Sequence, residues 1–255
     1  MAQIKGFFFD QDGVIIDTEK DGHRVAFNQT FKKFGFDFEW SVDDYHELLQ
    51  IGGGKERMKH YLHTKGFGRE VKQEEEEALI KALHLAKTDT FIQLIESKQL
   101  PLRPGVHRMM REINSKGYVL GVCTTSDQRS AQAVATIILS DINFNFVLAG
   151  DIVSKKKPDP EIYNLALKHS GLRADECIVF EDSHNGVVAA KAAGMHVVAT
   201  TNFYTEKEDL SKADIIVTSL GDRDGEKGVL KADLKDLAFD GVLTADQLVT
   251  FFESR

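Results

Sequence analysis

The sequence predicts a doubly wound α/β fold, a parallel sheet covered by helices, with an all-α insertion after the first strand. Three observations carry this. Short β-rich runs recur along the chain, each followed by a turn and a helical pattern. The runs are apolar nearly throughout rather than alternating, which is how strands covered on both faces read. Between residues 18 and 99 the rhythm breaks, and only helical periodicity is left. The expected organisation is a core built from residues 1–17 and 100–255, with a helical cap domain at 18–99.

The elements follow in order. IKGFFF (4–9) is the first strand. EKDGHRVAFNQTFKKFG is an amphipathic helix, SVDDYHELLQ a second with Ser41 as N-cap, and GKERMKHYLHTKG a third. EEEEALIKALHLAKTDTFIQLIES makes one or two more, with the four-Glu run at 74–77 on a solvated face. PLRPG (101–105) returns the chain to the core. Strands are then expected at YVLGVC (118–123), FNFVLA (144–149), CIVF (177–180), HVVAT (196–200) and DIIVT (214–218). Helices are expected near 105–116, 127–139, 160–170 and 184–193. Asp159 and Pro160 are placed as N-cap and first residue of the third of these, and Gly194 stands where a helix C-terminal glycine belongs. DRDGEKG (222–228) lacks the complete calcium-loop spacing and reads as a polar turn. The rest of the chain beyond about residue 219 has no assigned pattern.

Bulk properties exclude several classes. A chain of 255 residues with 42% hydrophobic and 28% charged residues is an ordinary globular composition. The net charge of −8 argues against nucleic acid as a partner. No apolar run approaches the roughly 20 residues of a membrane helix, and no apolar leader is visible ahead of Ile4. Cys123 and Cys177 lie in strand-like runs and read as buried reduced thiols. A soluble monomer of a reducing compartment is expected, acting on a small molecule.

In open α/β sheets ligands bind beyond the carboxyl ends of the strands, so the residues directly after each strand belong together. They are Asp10 and Asp12, then Thr124, Thr125 and Ser126, then Lys157 in KKKPDP, then Glu181 and Asp182. Two residues of extended chain span roughly 6.6 Å and face one side, so Asp10 and Asp12 can share a site and still differ in role. Asp10 with Asp182 forms an oxygen-rich pair suited to Mg²⁺. Asp10 is placed to attack phosphorus, and Asp12 to protonate the leaving oxygen and later deprotonate water. Thr124 and the Thr125 amide are suited to phosphoryl oxygens, and Lys157 to the developing charge.

DQDG, CTTS, the lysine of KKPDPEIY and VFEDSHNG resemble, in order, the four motifs of the haloacid dehalogenase superfamily. The resemblance implies Asp10 as nucleophile, Asp12 as general acid/base, and Thr124 and Lys157 as phosphate contacts. It also implies Mg²⁺ held by Asp10, the Asp12 carbonyl and Asp182, with Glu181 nearby. The superfamily's dehalogenases lack the second acid, so Asp12 favours phosphoryl transfer. The insertion resembles the helical cap of the phosphoglucomutase-like branch. Within it, DTEKDGHRVAFN and IGGGKERM are most similar to CbbY-type phosphatases of photosynthetic organisms, which hydrolyse xylulose 1,5-bisphosphate. That implies a phosphorylated sugar as substrate, and a cytoplasmic or, in a photosynthetic eukaryote, stromal location. A phosphomutase of the same fold and a non-catalytic phosphate-binding protein are the alternative readings.

The cap supplies further candidates. IGGGKERM is not a P-loop, because Glu56 follows Lys55 where Ser or Thr is required. Gly53, Lys55 and Arg57 instead fit a cap loop meeting the distal anion of a bisphosphate. Glu19 and His23, four apart on one helix face, are candidates for sugar hydroxyls or that second phosphate. His60 and His63 have no companion ligand cluster and are not read as a zinc site. Gln11, between the two acids, receives no role.

Overall fold

A computed structural model describes residues 3–97, 100–234 and 237–254. The expected end of the cap at residue 99 and the start of the core at residue 1 lie outside the described residues. One sheet contains β1 (Gly6–Phe9), β2 (Val119–Cys123), β3 (Phe146–Leu148), β4 (Cys177–Glu181), β5 (His196–Thr200), β6 (Ile215–Val217) and β7 (Leu230–Asp233). The strand order is β3-β2-β1-β4-β5-β6-β7, parallel except for the β6–β7 pair. The chain winds outward from β1 through β2 to β3, then crosses to β4 on the other side. The β1/β4 boundary is therefore the switch point, where an open α/β sheet presents its binding crevice.

Alternation of side chains across β1 builds both faces of the core. Phe7 and Phe9 join Ile178, Phe180, Leu120 and Val122 on one face, and Phe8 joins Cys123, Leu148 and Val179 on the other. All three phenylalanines are fully buried, each stabilising the fold by about 1.5–3 kcal/mol. Register then sets the site: Phe9 pairs with Val122 on one side and Phe180 on the other. Asp10, Thr124 and Asp182 consequently emerge along one rim.

Between β1 and β2, a π-helical turn at Glu19–His23 runs into α1 (Arg24–Lys33), followed by α2 (Val42–Leu49), α3 (Gly54–Thr64) and α4 (Gln73–Glu96). Ser41 caps α2 in a reciprocal box with Asp44. Phe27, Phe31, Phe36, Trp40, Tyr45 and Phe67 form an aromatic core among these helices. The acidic run opens a single long helix, α4. Its Ile80 and Leu83 join the aromatic core, whereas Phe91 and Ile95 pack in the cluster beneath the sheet. The insertion leaves and re-enters at adjacent points, because Ile16 bridges Leu102 and the Arg103 amide donates to the Ile15 carbonyl at 2.9 Å.

Helices α5 (Val106–Ser115), α6 (Gln128–Ala133), α7 (Glu161–Ser170), α8 (His184–Ala192) and α9 (Ala245–Glu253) cover the sheet or its edges. The helix expected over 127–139 is α6 continued by a π-helical turn at Val134–Ile138. Helix α7 starts one residue later than expected. Pro160 has no N–H, so the Asp159 carboxylate accepts from the Glu161 amide at 3.1 Å instead. Strand β7 and α9 lie in the stretch that had no assigned pattern. Among the described residues, no helix is long and apolar enough to cross a membrane.

Candidate active site

After β1 the chain turns tightly. The Gln11 carbonyl accepts from the Ile15 amide at 2.9 Å, and Gln11 is itself buried in the turn. Its place is thus structural. Gly13 completes the turn at φ +83°, and a Cβ there would lie 2.1 Å from Asp182 Oδ2. Only glycine lets the β1 loop approach Asp182 so closely.

Asp10, Glu181 and Asp182 form a buried cluster in which one oxygen of each lies within 4.8 Å of the others. Lys157 Nζ reaches Asp10 Oδ1 at 2.5 Å and Glu181 Oε1 at 2.6 Å. The Tyr163 hydroxyl also donates to Glu181. Asp182 Oδ2 accepts from Asn202 Nδ2 at 2.6 Å. Burial raises the Asp10 carboxyl well above its ordinary range, with the charges of Glu181 and Asp12 adding to it and Lys157 opposing. Burial likewise raises Asp182, with Asp10 and Glu181 adding. Burial works against the Lys157 ammonium, but Asp10 and Glu181 outweigh it and raise its pKa. Two of the three acids, Asp10 and Glu181, thus share one buried ammonium, while Arg103 and the Asn202 amide act against the rise at Asp182.

Asp12 has different surroundings. The Thr18 and Ser126 hydroxyls donate to it, and His23 Nε2 lies 3.0 Å from Oδ1. Burial opposes its ionisation, yet His23 and the hydrogen bonds from His23, Ser126 and Thr18 prevail and hold it below the usual carboxylate range. Behind His23, Lys87 Nζ stands 2.9 Å from Nδ1. An ammonium only donates, so Nδ1 accepts and the proton sits on Nε2, facing Asp12. Burial lowers the Lys87 pKa to about 8.

The helical insertion between β1 and β2 forms the roof. Tyr45 donates to Glu19 Oε2 at 2.5 Å, and Arg57 reaches the Tyr45 hydroxyl at 3.2 Å and Glu19 Oε1 at 3.8 Å. Arg57 Nε also donates to the Ile51 carbonyl at 2.8 Å, which fixes its fork. Gly53 takes φ +101° at the start of α3.

A cleft open to solvent lies between rim and roof. It brings together Asp10, Asp12, Glu19, His23, Gly53, Arg57, Thr124, Thr125, Ser126, Lys157 and Asp182. Two candidates sit differently. Lys55 lines a neighbouring opening with Lys156 and His84, and Glu181 lies behind the rim, held by Lys157 and Tyr163. Ser126 and His23 line the cleft, but their polar atoms also engage Asp12. Sequence reading missed Tyr45, Lys87, Tyr163 and Asn202. Only Lys87 left a trace, as a cation one turn from Phe91 on an otherwise apolar face of α4.

The chain matches the family of haloacid dehalogenase-like hydrolases over residues 4–194. It is 44% identical over 246 residues to a CBBY-like protein of Arabidopsis thaliana, covering 95% of this chain and 75% of that one. It is 39% identical to Protein CbbY of Rhodobacter capsulatus, covering 83% and 92%. A crystal structure of a CbbY variant from Rhodobacter sphaeroides in complex with xylulose-(1,5)bisphosphate superposes with a TM-score of 0.77 at 35% identity, covering 85% and 94%.

Proposed function

The chain belongs to the haloacid dehalogenase-like hydrolases, and from that premise we propose a Mg²⁺-dependent phosphatase that hydrolyses xylulose 1,5-bisphosphate to xylulose 5-phosphate through an aspartyl phosphate. The observation that carries this reading is the split between Asp10 and Asp12. One is placed among acids and an ammonium, the other among proton donors.

The donor set fits a hard divalent cation: buried carboxylate oxygens, an excess of negative charge, and Asp10 and Asp182 both raised by burial and mutual repulsion. Asp10, Asp182 and the Asp12 carbonyl would hold Mg²⁺, with Glu181 supporting from behind. When bound, it neutralises the repulsion between a carboxylate nucleophile and a phosphate ester.

Asp10 attacks phosphorus while the bond to the leaving sugar oxygen breaks and Asp12 gives that oxygen a proton. Asp12 then takes a proton from water, the water oxygen attacks phosphorus, and the Asp10–phosphorus bond breaks to release inorganic phosphate. As an isolated group Asp12 favours its ionised form. A phosphate dianion beside it pushes toward protonation, against the His23 hydrogen bond at 3.0 Å that favours the carboxylate. Lys157 and the Thr124–Thr125 segment hold the transferring phosphoryl oxygens. Residues 18–99 act as the cap. Arg57, set by Glu19 and Tyr45, meets the distal phosphate, and closure excludes water until the phosphoenzyme forms.

The test is a phosphate-release screen across sugar mono- and bisphosphates with Mg²⁺. The highest kcat/KM is expected for xylulose 1,5-bisphosphate. Release from no ester would remove the phosphatase reading, and an isomerised monophosphate in place of free phosphate would make the protein a mutase.

A further inference from the structure

The segment after β5 joins the rim to the roof. Asn202 donates Nδ2 to Asp182 Oδ2 at 2.6 Å, while its Oδ1 accepts from the amides of Tyr204 at 2.9 Å and Thr205 at 3.1 Å. The side-chain amide is thereby fixed in orientation, with its NH₂ toward the carboxylate. Two residues on, Tyr204 is buried in the aromatic core of the cap, with ring centroids 6.3 Å from Tyr45 and 5.3 Å from His46. Among the described residues, every other buried member of that core comes from positions 27–83. Further along, Glu208 accepts from Gln50 in the cap at 3.2 Å and from the His184 amide at 2.6 Å. His184 opens α8 directly after Asp182–Ser183. One loop thus holds the Asp182 carboxylate from the side, anchors the start of the helix that follows it, and is plugged into the cap at two points.

We propose that Asn202 is a positioning residue for Asp182, and that the 202–208 loop transmits cap position to it. This rests on the reading of Asp182 as a Mg²⁺ ligand. A cap seated on Tyr204 keeps the Asx turn of Asn202 closed and its amide aimed at Oδ2. A cap that lifts away removes the packing that holds the turn. Cap closure and cation affinity are therefore linked, and the link is reciprocal. The device fits a cleft whose chemistry is useful only when covered, because the carboxylates are readied for a cation as the roof arrives. Such outer-shell partners typically change metal affinity by about 10–100-fold when removed.

The experiment is a calorimetric Mg²⁺ titration of the full chain without substrate, comparing wild type with Asn202→Ala, Tyr204→Leu and Phe67→Leu. Phe67 belongs to the same aromatic core but not to the loop's contacts. The expected result is a Kd raised about 10-fold in Asn202→Ala. Tyr204→Leu, which removes the ring packed on Tyr45 and His46, is expected to raise it at least about threefold through the loop, with Phe67→Leu within about twofold of wild type. Gln50→Met, an exposed change that removes only the cap's side of the Glu208 contact, replaces Tyr204→Leu if that variant does not fold, and the same direction is expected. Wild-type affinity in the cap-side variant would overturn the coupling. So would equal weakening in Phe67→Leu, which would make the effect one of general stability. A wild-type chain that takes up no Mg²⁺ would instead remove the cation reading itself.

Discussion

The floor and the roof of the cleft are built on opposite electrostatic plans. The floor clusters three acids, two of them on one ammonium, and leaves Asp10 and Asp182 raised by burial and repulsion. The roof alternates acid, hydroxyl and guanidinium in Glu19, Tyr45 and Arg57, so its charges meet partners. A region left electrostatically incomplete is one that a ligand completes, and on the floor the acids outnumber the one ammonium that pairs with them. A region already paired is better suited to discriminating among ligands, because any occupant must better the pairing it disturbs. Asp12 stands at the boundary. It comes from the core strand, yet Thr18, His23 and, through His23, Lys87 govern its proton. On the proposed reading, the insertion would select the substrate and, together with Ser126 of the core, set the state of Asp12.

Substitutions on each side sharpen this contrast. Asp10→Asn strikes the floor and should abolish turnover on every phosphate ester, measured as phosphate release; residual activity above about 1% of wild type would place the nucleophile elsewhere. Asp12→Asn strikes the boundary and should cost at least about 10²-fold in kcat on sugar phosphates. Near-native turnover there would show that the boundary carboxylate has no proton role. Arg57→Ala strikes the roof alone. It should raise KM for a bisphosphate about 10-fold while changing that for a small aryl phosphate much less, and equal effects on both would dissolve the distinction between roof and floor. The gentlest probe is the roof's buried ammonium. Lys87 titrates at about 8 in the folded chain against an ordinary 10.5. Between those values the unfolded chain holds the extra proton, so stability rises with pH across that window, by at most about 1.4 kcal/mol per pH unit. Lys87→Met should flatten this rise in denaturant titrations from pH 8 to 10; an unchanged slope would show that Lys87 does not titrate there.

The floor was legible in the sequence and much of the roof was not, for a physical reason. Asp10, Thr124, Lys157 and Asp182 each follow a strand or its loop, and parallel pairing converts that local position into convergence. The roof depends on contacts between helices whose rotation about their axes is set only by packing. Glu19 and Arg57 read as separate candidates, but Tyr45, which joins them, reads like any aromatic on an amphipathic helix. Asn202 and Tyr204 lie in a connection with no periodicity, and their partners are Asp182 and the far cap. The unassigned C-terminal stretch did hold one readable signal. TADQ at 244–247 is the start of a capping box, and Thr244 and Gln247 form it at the head of α9. The edge strand β7 reads LKAD, with one large apolar residue, and its pairing with β6 alone gives it structure.

The division between Asp10 as nucleophile and Asp12 as proton handler is tested most directly by a rapid-quench measurement on Asp12→Asn with Mg²⁺ and an aryl phosphate. A phenolate leaving group needs no acid, so the first half-reaction should proceed and the second should stall without a base. The expected result is a burst of about one phenolate per protein, with a phosphoryl group retained on the peptide that contains Asp10. Slow linear release with no burst and no phosphorylated peptide would contradict the account.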